Sequence, residues 1–80
     1  MSQQTFETTD FYLASFLLSQ GVRMLELKPI DDRGRKAFVF DDSSQRAELV
    51  NEYHLGTPLV DVRNFVASIR RLKNGMYDGI

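Results

Sequence analysis

The fold is decided by residues 22–40, which read VRMLELKPIDDRGRKAFVF. Two apolar runs, at 22–28 and 36–40, flank a polar turn in which Gly34 can adopt a positive φ. We therefore predict an antiparallel hairpin of two strands over these two ranges, with Pro29 at a strand end or a sheet edge.

Side-chain alternation predicts which residues of the hairpin share a face. In the first strand, Leu25 and Leu27 fall on one face and Met24 falls on the other. In the second strand, Phe38 and Phe40 share a face. Because Ala37 and Val39 fall on the other face, we expect both faces of the sheet to be partly covered.

A helix is predicted before the hairpin, over residues 10–20. Asp10 offers a side-chain oxygen that can accept the exposed N–H groups of a first turn, and Gly21 supplies a left-handed stop. Within this range the apolar residues recur at helical spacing. The residues before the helix, 4–7, are a candidate short strand.

Two more helices are predicted after the hairpin. A capping-box spacing at 42–45 predicts a helix over 43–55 that is stopped by Gly56. The last helix covers 62–74 and is stopped by Gly75. Its apolar stripe has nearly the 3.6-residue period of a helix face packed on a core, and consists of Val62, Phe65, Val66, Ile69 and Leu72.

This order of elements predicts a small α+β fold in which three helices pack on a small antiparallel sheet centred on the hairpin. The segment at 57–60 is a second candidate short strand. We interpret the 80 residues as one domain, with a short flexible N-terminus at 1–3 and a tail at 76–80.

Composition argues against several classes of protein. The chain has no cysteine, which excludes a disulfide scaffold, a thiolate zinc site and a cysteine nucleophile. Its apolar runs are far shorter than the roughly 20 residues of a membrane span. Because the first residues also lack a basic region and an apolar signal core, we expect a cytoplasmic protein with no membrane association.

Residues suited to catalysis are few. His54 is the only histidine, so no histidine pair can hold a metal ion. The acidic pairs at 31–32 and 41–42 fall in a turn and at a helix start, where aspartate has ordinary structural roles. The chain has neither a phosphate-binding glycine loop nor a serine nucleophile elbow. We predict a non-catalytic protein without a metal or a cofactor.

Basic residues offer one candidate binding surface, for nucleic acid. They belong to the hairpin and the third helix, and would form a phosphate-binding patch if those elements lie on one side. They are Arg33, Arg35, Lys36, Arg63, Arg70, Arg71 and Lys73. Basic residues late in a helix also complement its dipole. The formal net charge of −1 lacks the basic excess typical of nucleic-acid binders.

Apolar residues offer another candidate surface, for a protein partner. Exposed aromatic and aliphatic side chains on the first helix and the tail would form an interaction patch. The candidates are Tyr12, Phe16, Met76 and Tyr77. Self-association through an unpaired sheet edge, giving a homodimer, is one version of this interpretation.

Several short stretches resemble a family of small bacterial and phage-associated proteins that is known only as a domain of unknown function. The matching stretches are 9–18 (TDFYLASFLL), Gly21, 38–41 (FVFD), 50–53 (VNEY) and 71–73 (RLK). The resemblance covers most of the chain. It implies a free-standing small domain from a phage or mobile-element context, and it transfers no catalytic or binding residue.

The sequence as a whole predicts a small binding module that interacts with a protein or serves as an accessory subunit of a larger complex. The alternative is a nucleic-acid-associated accessory protein of a phage or mobile element, which acts through the basic helix and hairpin. The small negative net charge favours the first prediction.

Overall fold

Strands and helices follow one another in the predicted order. The computed structural model describes residues 4–56 and 58–77, with the backbone alone for residues 76 and 77. The elements are β1 (Thr5–Thr8), α1 (Phe11–Ser19), β2 (Met24–Pro29), β3 (Lys36–Asp41), α2 (Ser44–Leu55) and α3 (Val62–Tyr77). The strands form an antiparallel sheet in the order β1-β3-β2. The predicted α+β fold, its central hairpin and its short first strand are confirmed.

Helix α1 forms where its capping signals predict it. The Asp10 carboxylate accepts hydrogen bonds from the N–H groups of Tyr12 at 3.0 Å and Leu13 at 3.1 Å. Gly21, with φ of 88°, ends the helical path. The helix is apolar on most sides and lies in the middle of the core, which it builds together with Phe38 and Phe40 of β3.

A β-bulge sets the faces of β2. Met24 pairs with Phe40 and Leu27 pairs with Phe38, and the register shifts between Met24 and Glu26. The shift leaves Leu25 as an extra residue, so Met24 and Leu27 both face the core. The prediction that Met24 falls on the face opposite Leu27 was therefore wrong, because one inserted residue resets the alternation.

The sheet face away from the core is covered by an ion pair. Glu7 of β1 lies beside Val39, and Lys28 of β2 lies beside Ala37. The Lys28 ammonium and the Glu7 carboxylate are 3.2 Å apart. The pair lies across the small side chains of the central strand, and Ala37 and Val39 are buried there although neither belongs to the core cluster that the helices build.

Helix α2 is attached to β1 through Arg46. Its first turn is capped by the Ser43 hydroxyl, which accepts the Arg46 N–H at 3.2 Å. The Arg46 guanidinium donates to the Asp42 carboxylate at 2.8–2.9 Å and lies 4.3 Å from the centre of the Phe6 ring. Leu49 then reaches the core.

Helix α3 does not stop at Gly75 but continues to Tyr77. A Cβ atom on Gly75 would lie 3.3 Å from Cδ1 of Leu27, so this glycine allows the helix to approach β2 closely. It serves packing, not termination, and the predicted helix end was wrong. Residues 76 and 77 thus belong to α3, while the other predicted flexible ends, 1–3 and 78–80, lie outside the described residues.

The apolar stripe of α3 is buried only in part. Leu72 is 1% exposed and Ser68 is buried against the rest of the core, whereas Val62 is 71% exposed and Val66 is also exposed. The expectation that the whole stripe faces inward was therefore wrong. Phe65, which lies between these two valines, packs against the core, so the first turns of α3 are covered in part.

The connector between α2 and α3 is not a strand over residues 58–60, and Thr57 lies outside the described part of the chain. Pro58 has no N–H to contribute to a sheet. The Leu59 carbonyl instead accepts a hydrogen bond from Nε2 of Gln20, at 3.3 Å. The connector is thus tied to the end of α1, and the prediction of a strand at 57–60 was wrong for its described residues.

Candidate binding groove along the free edge of β2

The groups that the sequence offered for acid–base chemistry serve as structural contacts. The Asp31 carboxylate accepts the N–H groups of Arg33 at 2.9 Å and Arg35 at 3.2 Å, which closes the hairpin turn. His54 is exposed and meets the Tyr53 ring edge-on, with 5.9 Å between the ring centres. Across residues 4–56 and 58–77, no cluster of three or more histidine or acidic side chains is placed to hold a metal ion.

The fold biases the protonation of the Tyr53 hydroxyl. Burial, and in second place the negative charge of Asp10, raise the pKa of Tyr53 above its ordinary value of 10.0. The ring also packs on Phe16, with 5.7 Å between centres. This tyrosine joins α2 to α1 and is a structural residue of the core margin.

A test of this bias is the alkaline stability of the Tyr53→Phe variant. The unfolded chain loses the Tyr53 proton near pH 10, before the folded chain does, so the stabilisation is complete below pH 10 and is lost as the pH rises through the raised folded pKa. We expect the urea midpoint of the wild type to fall more steeply than that of the variant as the pH rises above 10.0. Parallel curves for the two proteins would contradict the raised pKa.

The seven predicted basic residues are distributed over three places. Arg33 and Arg35 lie in the hairpin turn, where Arg35 is 3.7 Å from the Asp31 carboxylate, and Lys36 begins β3. Arg63 is in the first turn of α3. Arg70, Arg71 and Lys73 lie further along this helix and are exposed. No convergence of hairpin and helix charges on one site is seen among these described positions.

The candidate residues for an exposed apolar patch divide into three cases. Tyr12 is 60% exposed, as predicted. Phe16 is 1% exposed and belongs to the core, so its prediction as an interaction residue was wrong: it occupies the inner side of α1 against Tyr53. The side chains of Met76 and Tyr77 lie outside what the structure describes. Exposed apolar side chains cluster instead along the chain between α2 and α3, at Leu55, Leu59, Val60, Val62 and Val66.

A groove runs between β2 and the second half of α3, and we call it the β2–α3 groove. Its volume is about 660 Å³, within the range of about 300–1,000 Å³ that is typical of ligand sites. The lining residues are Met24, Leu25, Glu26, Leu27, Ala67, Arg70, Arg71, Leu72, Asn74 and Gly75.

The position of this groove follows from its lining. Successive side chains of a strand point to opposite faces, so a hollow on one face touches alternate residues. The β2–α3 groove touches Met24 and Leu27, which face the core, and also Glu26, which pairs with Val39 on the other face, and it therefore reaches the backbone edge of the strand. That edge is unpaired in the described sheet, because β2 is its outermost strand.

Charge at the groove is mainly positive. Its inner wall is apolar, from Met24, Leu27 and Leu72, while Arg70 and Arg71 approach from the helix and Glu26 from the strand. Neither arginine has an ion-pair partner within the described residues, whose salt bridges lie at Lys28–Glu7, Arg35–Asp31 and Arg46–Asp42. The groove thus combines an open strand edge, an apolar wall and two guanidinium groups that no carboxylate of the described residues pairs with.

The fold and the groove together define a small α+β domain in which a helix runs beside an open sheet edge. The chain belongs to the family described as Domain of unknown function (DUF5659), whose model matches residues 3–78. The predicted membership of a family of unknown function is confirmed. No curated protein and no solved structure matches the chain. No helix of the described residues is long and apolar enough to span a membrane.

Sequence reasoning found the two arginines of the groove but not the groove itself. Leu25, Ala67 and Asn74 gave no functional signal, because a bulge and the approach of a helix to a strand depend on tertiary packing. One signal was present in the sequence: Gly75, inside an otherwise helical pattern, marks a place where another element comes close.

Proposed function

We propose that this domain is a non-catalytic protein-binding module, and that an extended segment of a partner protein docks along the free edge of β2. The observation that carries the proposal is the lining of the β2–α3 groove by four successive strand residues. A docked strand would pair with the open N–H and C=O groups of this edge, and its side chains would alternately enter the groove.

The length of the open edge limits what can dock. Proteins protect sheet edges with bulges, prolines and covering elements. β2 has a bulge at Leu25 and ends at Pro29, so the edge between them offers only a short pairing segment. The β2–α3 groove lies at this segment. A short linear motif of a partner therefore fits the site better than a whole additional sheet does.

The setting that we propose is a larger complex in the cytoplasm, of which this domain is an accessory subunit. The absence of cysteine supports a reducing compartment. A phage or mobile-element origin stays a proposal that rests on the family resemblance. Nucleic acid is the second candidate ligand, favoured by the unpaired Arg70 and Arg71; the net charge of −1 disfavours it.

Filling the groove tests the proposed function. Ala67→Leu adds three carbons at an exposed helix position that lines the β2–α3 groove. The probe is a display library of random twelve-residue peptides, selected on the immobilised domain. We expect the wild type to enrich peptides rich in β-branched and aromatic residues. We expect the variant to bind the best of them at least tenfold more weakly, about 1.4 kcal/mol or more.

The matched control is Ala47→Leu, the same change at an exposed position of α2 that does not line this groove. We expect the Ala47→Leu variant to bind the peptides as the wild type does. This control separates the effect of filling the groove from a general effect of added apolar surface. Equal binding by the Ala67→Leu variant, or no enrichment beyond that on an unrelated protein, would overturn the proposal. Wild-type dimers that the Ala67→Leu change dissociates would also overturn it, in favour of a second copy as the occupant.

A further inference from the structure

We infer that the segment accepted by the β2–α3 groove is acidic: an extended peptide that presents carboxylates to Arg70 and Arg71. This inference rests on the proposed function and adds the chemistry of the ligand. It follows from three properties of the groove, namely the balance of its charges, the state of its arginines and the nature of its wall.

The balance of charge in the groove differs from that of the chain. The lining carries two positive groups, Arg70 and Arg71, against one carboxylate, Glu26. The chain as a whole has a formal net charge of −1. The groove is therefore a local positive site on a protein whose other surface does not attract anions in general, and this contrast favours an anion directed to the groove.

The two arginines are available to a ligand. Both are exposed, and no carboxylate of residues 4–56 or 58–77 pairs with either. A guanidinium presents its N–H donors as a planar fork that matches a carboxylate in a bidentate pair. Arg35 and Arg46, in contrast, already bind the carboxylates of Asp31 and Asp42.

The apolar wall of the groove favours a peptide over other anionic ligands. Leu27, Ala67 and Leu72 line the groove beside the open edge of β2, so an occupant gains from apolar side chains and from backbone N–H and C=O groups as well as from charge. A nucleic acid backbone offers phosphates but no strand to pair with the edge. A peptide strand with carboxylates supplies all three contacts.

The probes are three synthetic peptides of ten residues with blocked ends, in which valine alternates with glutamate, glutamine or lysine. An alternating peptide can shift its pairing with β2 by one residue, and so turn either set of its side chains toward α3. The register that binds best is therefore selected by the groove and not fixed by the design of the peptide. For the wild type we expect the glutamate peptide to bind about tenfold more tightly than the glutamine peptide, and the lysine peptide to bind most weakly, by titration calorimetry at moderate salt.

Charge reversal at the groove should invert this order. In the double variant R70E/R71E we expect the lysine peptide to bind best and the glutamate peptide to lose its affinity. The matched control is R33E/R63E, which changes the net charge equally at the hairpin turn and the first turn of α3, outside the groove lining. The control should keep the wild-type order, because the site is local.

Each other outcome overturns the inference in a recognisable way. If the glutamine peptide binds as tightly as the glutamate peptide and R70E/R71E changes neither, the groove takes a neutral strand, and the proposed function stands without the acidic ligand. If R33E/R63E inverts the order as well, the effect is one of net charge. If no peptide binds while a duplex DNA of twenty base pairs does, through Arg70 and Arg71, both the inference and the proposed function fail.

Discussion

The Phe40→Ala variant is expected to be mostly unfolded under conditions in which the wild type is folded. Phe40 is 0% exposed and, near the end of β3, pairs with Phe6 of β1 on one side and Met24 of β2 on the other. Removing such a ring costs about 3–5 kcal/mol, and a domain of this size has a total stability of only about 3–5 kcal/mol. Circular dichroism and urea titration measure the loss directly.

The companion variant Phe40→Leu keeps most of the buried volume. We expect it to fold, with a loss of about 1.5 kcal/mol, as for apolar exchanges that nearly conserve volume. If Phe40→Ala unfolds at a urea midpoint close to that of the wild type, the Phe40 ring does not hold the three strands to the helices. That result would contradict the place of Phe40 in the core.

The second large effect is expected at Leu72 of α3. Leu72→Ala should cost about 2–5 kcal/mol, because Leu72 is 1% exposed and belongs to the core formed with α1 and β3. In a domain of this size such a loss leaves a substantial unfolded fraction. The measurement is again the free energy of unfolding in urea.

Val62 provides the matched control within the same apolar stripe. Periodicity treats Val62 and Leu72 as equivalent, but Val62 is 71% exposed. We expect Val62→Ala to change the stability by less than about 0.5 kcal/mol, as surface substitutions do. Similar losses at both positions would mean that the first turns of α3 are buried in solution, for example against another molecule.

Local signals in the sequence were sufficient for the elements of the fold. The caps of α1 at Asp10 and Gly21 depend on groups within a few residues of each other, and so does the turn of the hairpin, and the structure follows all of them. The apolar runs on either side of the turn were likewise sufficient for the two longer strands.

The features that the sequence predicted wrongly depend on which residues lie opposite one another in the folded protein. The bulge at Leu25 lets Met24 pair with Phe40 and Leu27 pair with Phe38 of β3. A glycine is needed at position 75 because Leu27 approaches it. Periodicity showed that Val62 and Leu72 share a helix face, but not that other elements cover only one of them. The β2–α3 groove was not predictable for the same reason, although its arginines were visible as part of a basic helix.

Gly75 has only a hydrogen atom as its side chain, and this small size also sets the width of the β2–α3 groove. A methyl group there would press on Leu27 at 3.3 Å, closer than most such contacts, and either the leucine or the helix would have to yield by a few tenths of an ångström. One residue, four positions after Arg71 on α3, thus acts as a spacer. The size of this residue determines how much space a docked peptide backbone has between α3 and β2.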